Sequence, residues 1–299
     1  MKNLTKQTSI FALALTIALV CTGVALAASL SYFQGFETDT AGWNANTTRV
    51  ASGTAGIVSA SGSWHAQAGS PNTSFTNWGG SGGNAGCFAT ACAAASFPKN
   101  GYVTSVDIWL DASSTTFAND TRFDFSSAIS NPAGSHRRDF VFNAGFYNDS
   151  DTTGTGPRFV ISASTNSGRS NSFPKNPDRA PFAITEDGWY TFEHTFRDNA
   201  GILEVDLKIK DEAGTTLTSW TISDPSDTIN GNVGGNRYGW FALQEFPVLA
   251  FDNASKFDIK GTPADKEQCK KGGWMQVVDG DGEDFTNQGQ CVKFVNSNS

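Results

Sequence analysis

Apolar and polar side chains alternate with a period of two through much of the chain, and the cleanest instance is the run 136–150, His-Arg-Arg-Asp-Phe-Val-Phe-Asn-Ala-Gly-Phe-Tyr-Asn-Asp-Ser. Successive side chains of an extended strand point to opposite faces. Phe140, Phe142, Ala144 and Phe146 therefore share one side, and Asp139, Asn143 and Tyr147 share the other with Val141 and Gly145. The first side predicts a core face. The second predicts a hydrogen-bonding face on which Gly145 leaves the backbone approachable. Further runs repeat the pattern. Val106, Ile108 and Leu110 oppose Asp107, Trp109 and Asp111, while Phe123 and Phe125 oppose Arg122, Asp124 and Ser126. Phe159, Ile161 and Ala163 oppose Arg158, Ser162 and Ser164. Segments 188–197 and 202–210 predict a hairpin, and in its second arm Leu203, Val205, Leu207 and Ile209 oppose Glu204, Asp206, Lys208 and Lys210, a solvated outer face. Shorter strands are predicted between 50 and 67, after the turn at 231–237, and at 249–259.

Many short alternating runs separated by turns predict an all-β, antiparallel two-sheet β-sandwich of jelly-roll type. The 31 glycines and 23 phenylalanines agree with strands and turns rather than helices. A loop at 166–183 carries Pro174, Pro177 and Pro181 with Arg169, Lys175 and Arg179, and suits either surface decoration or a binding loop. His194 shares a side with Tyr190, Phe192 and Phe196, the position of a core histidine.

The first residues stand apart. Lys2 and Lys6 precede an apolar run from Ile10 to Val20, and Ala25-Leu26-Ala27 supplies small residues, so 1–27 reads as a secretory leader. Export then makes cysteine usage informative. Beyond Cys21 the chain holds Cys87, Cys92, Cys269 and Cys291; three pairings are possible, and proximity favours Cys87 with Cys92 and Cys269 with Cys291. The expected organisation is a leader at 1–27, a sandwich at 28–261, a linker at 262–266 and a disulfide-stapled appendage at 267–299. The formal charge of −8 argues against nucleic acid and anionic membranes as partners, and no later segment is long and apolar enough for a membrane span. A monomer is expected.

The Gly35-Phe36-Glu37 opening, the many alternating strands and the closing Phe251-Asp252-Asn253 resemble the concanavalin-A-like jelly rolls, including laminin-G-like and MAM-type domains, over roughly 30–261. In several such sandwiches the first and last strands lie side by side and their acidic residues hold a structural calcium. That resemblance implies Glu37 and Asp252 as Ca2+ ligands, with Asp39 a weaker third. The tail resembles a cysteine-bounded ending of many exported bacterial proteins, matching at Cys269, Gly272, Gly273, Trp274, Asn287, Gln288, Gly289, Cys291 and Val292. The acidic run 279–284 lacks the twelfth-position Glu of a helix-flanked calcium loop, with Gln290 there instead, and reads as a solvated turn.

The polar face of the central strand, flanked by its expected neighbours, predicts a polysaccharide site built from Arg122, Asp124, Asp139, Asn143, Tyr147, Arg158, Ser162 and Trp240. Aromatic rings stack on sugar rings, which makes Trp109, Tyr147, Tyr238 and Trp240 the aromatic candidates. Residues 140–149 also resemble a strand of the jelly-roll alginate lyases, which implies Tyr147 as acid and base with Arg158 and Asn143 neutralising a uronate carboxylate. The match departs from the motif at Asn143, where a lysine belongs, and at Asp149, where a glutamine belongs. A non-catalytic surface adhesion or structural module is the third expectation.

Overall fold

The computed structural model describes residues 28–69, 74–78, 96–166, 173–280 and 283–298. The leader and the expected Cys87–Cys92 bridge lie outside them. The strands begin with β1 (Ala28–Gln34), β2 (Thr47–Ala51), β3 (Trp64–Ala68), β4 (Phe75–Thr76), β5 (Tyr102–Leu110) and β6 (Thr121–Ser130). Then come β7 (His136–Tyr147), the small hairpin β8 (Ser150–Asp151) and β9 (Gly154–Thr155), β10 (Arg158–Ser164) and β11 (Phe182–Ile184). The last are β12 (Gly188–Asn199), β13 (Ile202–Lys210), β14 (Thr216–Thr228), β15 (Asn236–Ala242) and β16 (Ala250–Ile259).

They build an antiparallel sandwich. The large sheet runs β14-β13-β12-β5-β16-β3-β2, with β1 also paired to β16, and the small sheet runs β11-β10-β7-β6-β15-β4. The chain crosses between sheets after β3, β4, β5, β11, β14 and β15, so each sheet mixes early and late strands.

Alternation decides which side chains fill the space between the sheets. Phe123, Phe125, Phe140, Phe142, Phe146 and Phe159 project inward from the small sheet and meet Val106, Ile108, Phe192, Phe196, Val205 and Leu207 from the large one. Phe142 and Phe192 pack edge-on with centroids 5.1 Å apart. His194 is 0% exposed within this layer, as its parity predicts.

Two elements differ from the sequence expectation. Strand β14 is a 13-residue edge strand whose inner face is only half-buried, through Trp220 and Ile222, so its Ser- and Thr-rich run carries too short an apolar alternation to announce it. In the tail, a helix α1 (Gln288–Ser297) forms where none was expected. The Asn287 side chain accepts the Gln290 N–H at 3.0 Å and starts it, while Cys291 and Val295, four residues apart, bury its one apolar stripe. The Cys269–Cys291 disulfide forms as expected and centres a small cluster with Phe285 and Val295. A Gly261–Val277 bridge and the Lys260–Asp284 ion pair, 2.6 Å, join this appendage to the end of β16.

Candidate functional site

Strand register brings the expected polar residues together. Asp124 of β6 lies opposite Asn143 of β7, and Asn143 lies opposite Ser162 of β10. Arg122 is opposite Gly145, and Tyr147 opposite Arg158. The face is filled rather than open, however: Arg122 is 7% exposed, Tyr147 3%, Asn143 and Asp124 1%, and Ser162 and Arg158 0%. Several of its members bond one another, while Arg122 Nη1 and Ser162 Oγ find no partner among the described residues. Asn143 donates to Asp124 at 2.8 Å and to the Asn166 carbonyl at 3.2 Å, and Ser164 donates to Asn143 at 2.6 Å. The Lys175 ammonium sits 4.0 Å over the Tyr147 ring and pairs with Asp149 and Asp151. Asn166 and Lys175, from the segment that allowed either surface decoration or a binding loop, thus lie against this face.

The space expected above Gly145 is occupied by Tyr147 itself, since a Cβ there would stand 2.9–3.1 Å from the phenol ring. The phenol donates to Asp120 at 2.8 Å, and burial together with that acceptor raises its pKa. Arg158 is committed to Asp151 at 2.9 Å and to the Asp149 and Gly156 carbonyls, both at 2.8 Å. A lyase needs a phenol that loses its proton beside an uncommitted cation; here the phenol proton is held in a hydrogen bond to Asp120, and Arg158 and Lys175 are paired with Asp149 and Asp151. Asp139 lies at the strand's start, bonded to His136 at 2.8 Å and to Tyr238 at 3.0 Å, while half-buried Trp240 meets Tyr238 edge-on.

The resemblance-based calcium set is not assembled either. Strands β1 and β16 do pair, and they bring Glu37 and Asp252 to one end of the large sheet. There Glu37 accepts the Ser63 and Trp64 N–H groups at 3.0 and 3.1 Å, and Asp252 accepts those of Ser61 and Asn253 at 3.2 and 2.8 Å. Asp39 is tied back to Gln34 and the Ala41 N–H. Among the described residues no three acidic, histidine or cysteine side chains gather as a metal centre. Asp252 is fully buried, and burial, reinforced by Asp107 and Glu37, pushes its carboxyl up to about 7.

The open site lies on the outer face of the large sheet. Trp109 of β5 and Trp189 of β12 stand directly opposite each other, their rings edge-to-face at 5.8 Å. Beside them opens a cavity of about 480 Å³, lined by Val58, Ser59, Asp107, Trp109, Thr191 and Glu212 among others. A second hollow of about 300 Å³ continues over the other side of Trp109 toward Phe117, Phe246 and Pro247. The wall is a short 3-10 turn, Thr54–Gly56, and the residues after it. Trp189 donates its indole N–H to the Val58 carbonyl at 2.8 Å, and Ser59 bonds buried His65 at 3.0 Å, whose ring meets Trp189 edge-on. Trp189 is therefore fixed at 6% exposure, leaving half-buried Trp109 as the platform. Thr191 donates to Asp107 at 2.6 Å on the groove floor, and the Trp189 main-chain N–H donates to Glu212 at 3.3 Å.

No protein-family model matches the chain, and no curated protein does. Among solved structures the chain is similar to the CBM2 module of the evolved Dit of Lactobacillus casei BL23 phage J-1, at 12% identity over 77% of this chain and 95% of that one, with a TM-score of 0.37. It is also similar to the exoplasmic/lumenal domain of VIP36 in its Ca2+/Man-bound form, at 13% identity over 78% and 89%, with a TM-score of 0.41. A protein of unknown function from Shewanella oneidensis MR-1 matches at 11% identity over 78% and 90%, with a TM-score of 0.33.

Sequence reasoning named Trp109 and missed its companions. Asp107, Trp189 and Thr191 carry a visible signal, because all fall on the polar side of their strands. Val58, Ser59, Asp211 and Glu212 sit in turns, and only the tertiary fold brings them beside Trp109.

Proposed function

We propose that this is an exported carbohydrate-binding protein that holds a sugar chain in the Trp109 groove. The observation that carries the reading is an indole platform, locked by a second tryptophan, at the floor of an open cavity whose polar lining is hydroxyls and carboxylates. Sugars are recognised by this division of labour, an aromatic face against the C–H face of the ring and polar groups for its hydroxyls. The face expected from the sequence has the right residue types, but they are buried, with Asn143 bonded to the Asn166 carbonyl and Lys175 over the Tyr147 ring. Export is supported by the leader-like 1–27 and by the Cys269–Cys291 disulfide, a bond that persists in oxidising compartments.

The test is affinity electrophoresis and calorimetry against a panel of soluble glycans, comparing the native chain with Trp109→Ala and with Tyr147→Phe. Loss of about tenfold or more in affinity, ~1.4 kcal/mol, is expected for Trp109→Ala with its circular dichroism spectrum unchanged. Tyr147→Phe is expected to bind like the native protein. The opposite ranking would return the site to the small sheet.

A further inference from the structure

The groove is electrically one-sided. Asp107 and Glu212 line the main cavity with Asp211; Asp111 lines the hollow beyond Trp109; Asp187 joins Asp211 and Glu212 around Trp189 on the outer side. Among the described residues no lysine or arginine lines any of these three spaces. On the same sheet face, a few residues away, carboxylates are neutralised: Glu193 pairs with Lys208 and Lys210, and Glu204 and Asp206 pair with Arg197. Lys210, next in sequence to Asp211, belongs to Glu193. The five groove carboxylates have no such cation among the described residues. Asp211 spends Oδ1 on the Thr215 N–H and Glu212 spends Oε1 on that of Trp189; their second oxygens have no partner there. Burial and the neighbouring Asp187 raise the Asp111 carboxyl, and Tyr190 is raised by burial and then by Glu186, Asp187, Glu212 and Asp211, the mark of a local negative potential.

We infer that the groove selects glycans bearing free, protonated amino groups, oligomers or polymers of deacetylated amino sugars, over their neutral and uronate counterparts. This rests on the groove being the sugar site. The fit is chemical. An ammonium on the ring donates charge-assisted hydrogen bonds to carboxylates while the ring itself stacks on Trp109, and an ammonium near an indole face gains further. Acetylation removes that charge and leaves acceptors facing a neutral amide. A uronate places a like charge among carboxylates, which repel it.

The test measures binding of glucosamine tetramer, its fully N-acetylated form and a uronate tetramer by calorimetry at low and physiological salt. The native chain is expected to bind the glucosamine tetramer about tenfold or more tighter than the acetylated one, ~1.4 kcal/mol, and the uronate least. Asp211→Asn with Glu212→Gln is expected to erase that preference while both acetylated and free forms keep their dependence on Trp109. A control pair, Asp265→Asn with Glu267→Gln in the appendage, removes equal charge far from the groove and is expected to leave the preference intact. If the control pair weakens glucosamine binding as much as the groove pair, attraction is only that of net charge and the inference falls. Equal binding of free and acetylated tetramers, both lost in Trp109→Ala, overturns the amino-sugar inference and keeps the groove. Binding unaffected by Trp109→Ala overturns the groove itself.

Discussion

His194 packs among Phe125, Phe142 and Phe196 with its Nε2 3.0 Å from the Phe140 carbonyl, and burial lowers its pKa from 6.5 to about 3. The neutral ring donates through Nε2, and Nδ1 has no partner, which a charged imidazolium would make costly. Between pH ~6.5 and ~3 the unfolded chain binds more protons than the folded one, so stability falls as the pH drops through that window and is fully present above it. The slope is ~1.4 kcal/mol for each tenfold difference in proton affinity. His194→Phe is expected to flatten this acid limb in urea titrations run from pH 7 to pH 4. At neutral pH it loses about 1 kcal/mol, because the Phe140 carbonyl is left without its donor. Parity alone gave His194 its place, and the same parity put Trp109 outside the core. What parity could not give is occupancy. Asn143 and Tyr147 point to the face expected of them, yet the carbonyl of Asn166 and the ammonium of Lys175 reach it from a loop whose course has no periodicity to read.

Among the elements, β7 was legible because one face is phenylalanine and the other is polar, whereas β14 was hidden because only Trp220 and Ile222 of its Ser- and Thr-rich run pack against the core. An edge strand of this kind is held by its ends. Arg137 and Arg138 at the start of β7 reach across to Asp224 and Asp227 of β14, tying the edge of the large sheet to the small one. Asp227 is 1% exposed and accepts from both arginines, so its loss leaves two guanidinium groups short of an acceptor. Asp227→Ala is expected to destabilise the sandwich by about 1.5–3 kcal/mol, the range for hydrogen bonds to charged groups, read as a lower denaturation midpoint with an unchanged slope. Helix α1 was missed for a related reason: ten residues with a single narrow apolar stripe carry little periodic signal, and the disulfide supplies what the stripe does not.

For the whole molecule, the alternation of a handful of strands sufficed for a two-sheet all-β sandwich, while strand order lay beyond it, since order depends on contacts between distant residues. Strand β16 shows how distant. It sits inside the large sheet, with β5 along one edge and β1 and β3 along the other, and Phe251 contributes to the core against Phe36, Trp43 and Phe241. A chain ending before Ala250 is expected to give no cooperative melting transition by calorimetry, whereas one ending after Ile259 retains it. Ribosomal synthesis meets the same geometry: β1, β3 and β5 each have an edge that must wait for β16, translated long after them. A polypeptide that cannot close early stays threadable, which, on the proposal that the chain is exported, suits passage through a narrow translocation pore before it is required to hold its shape.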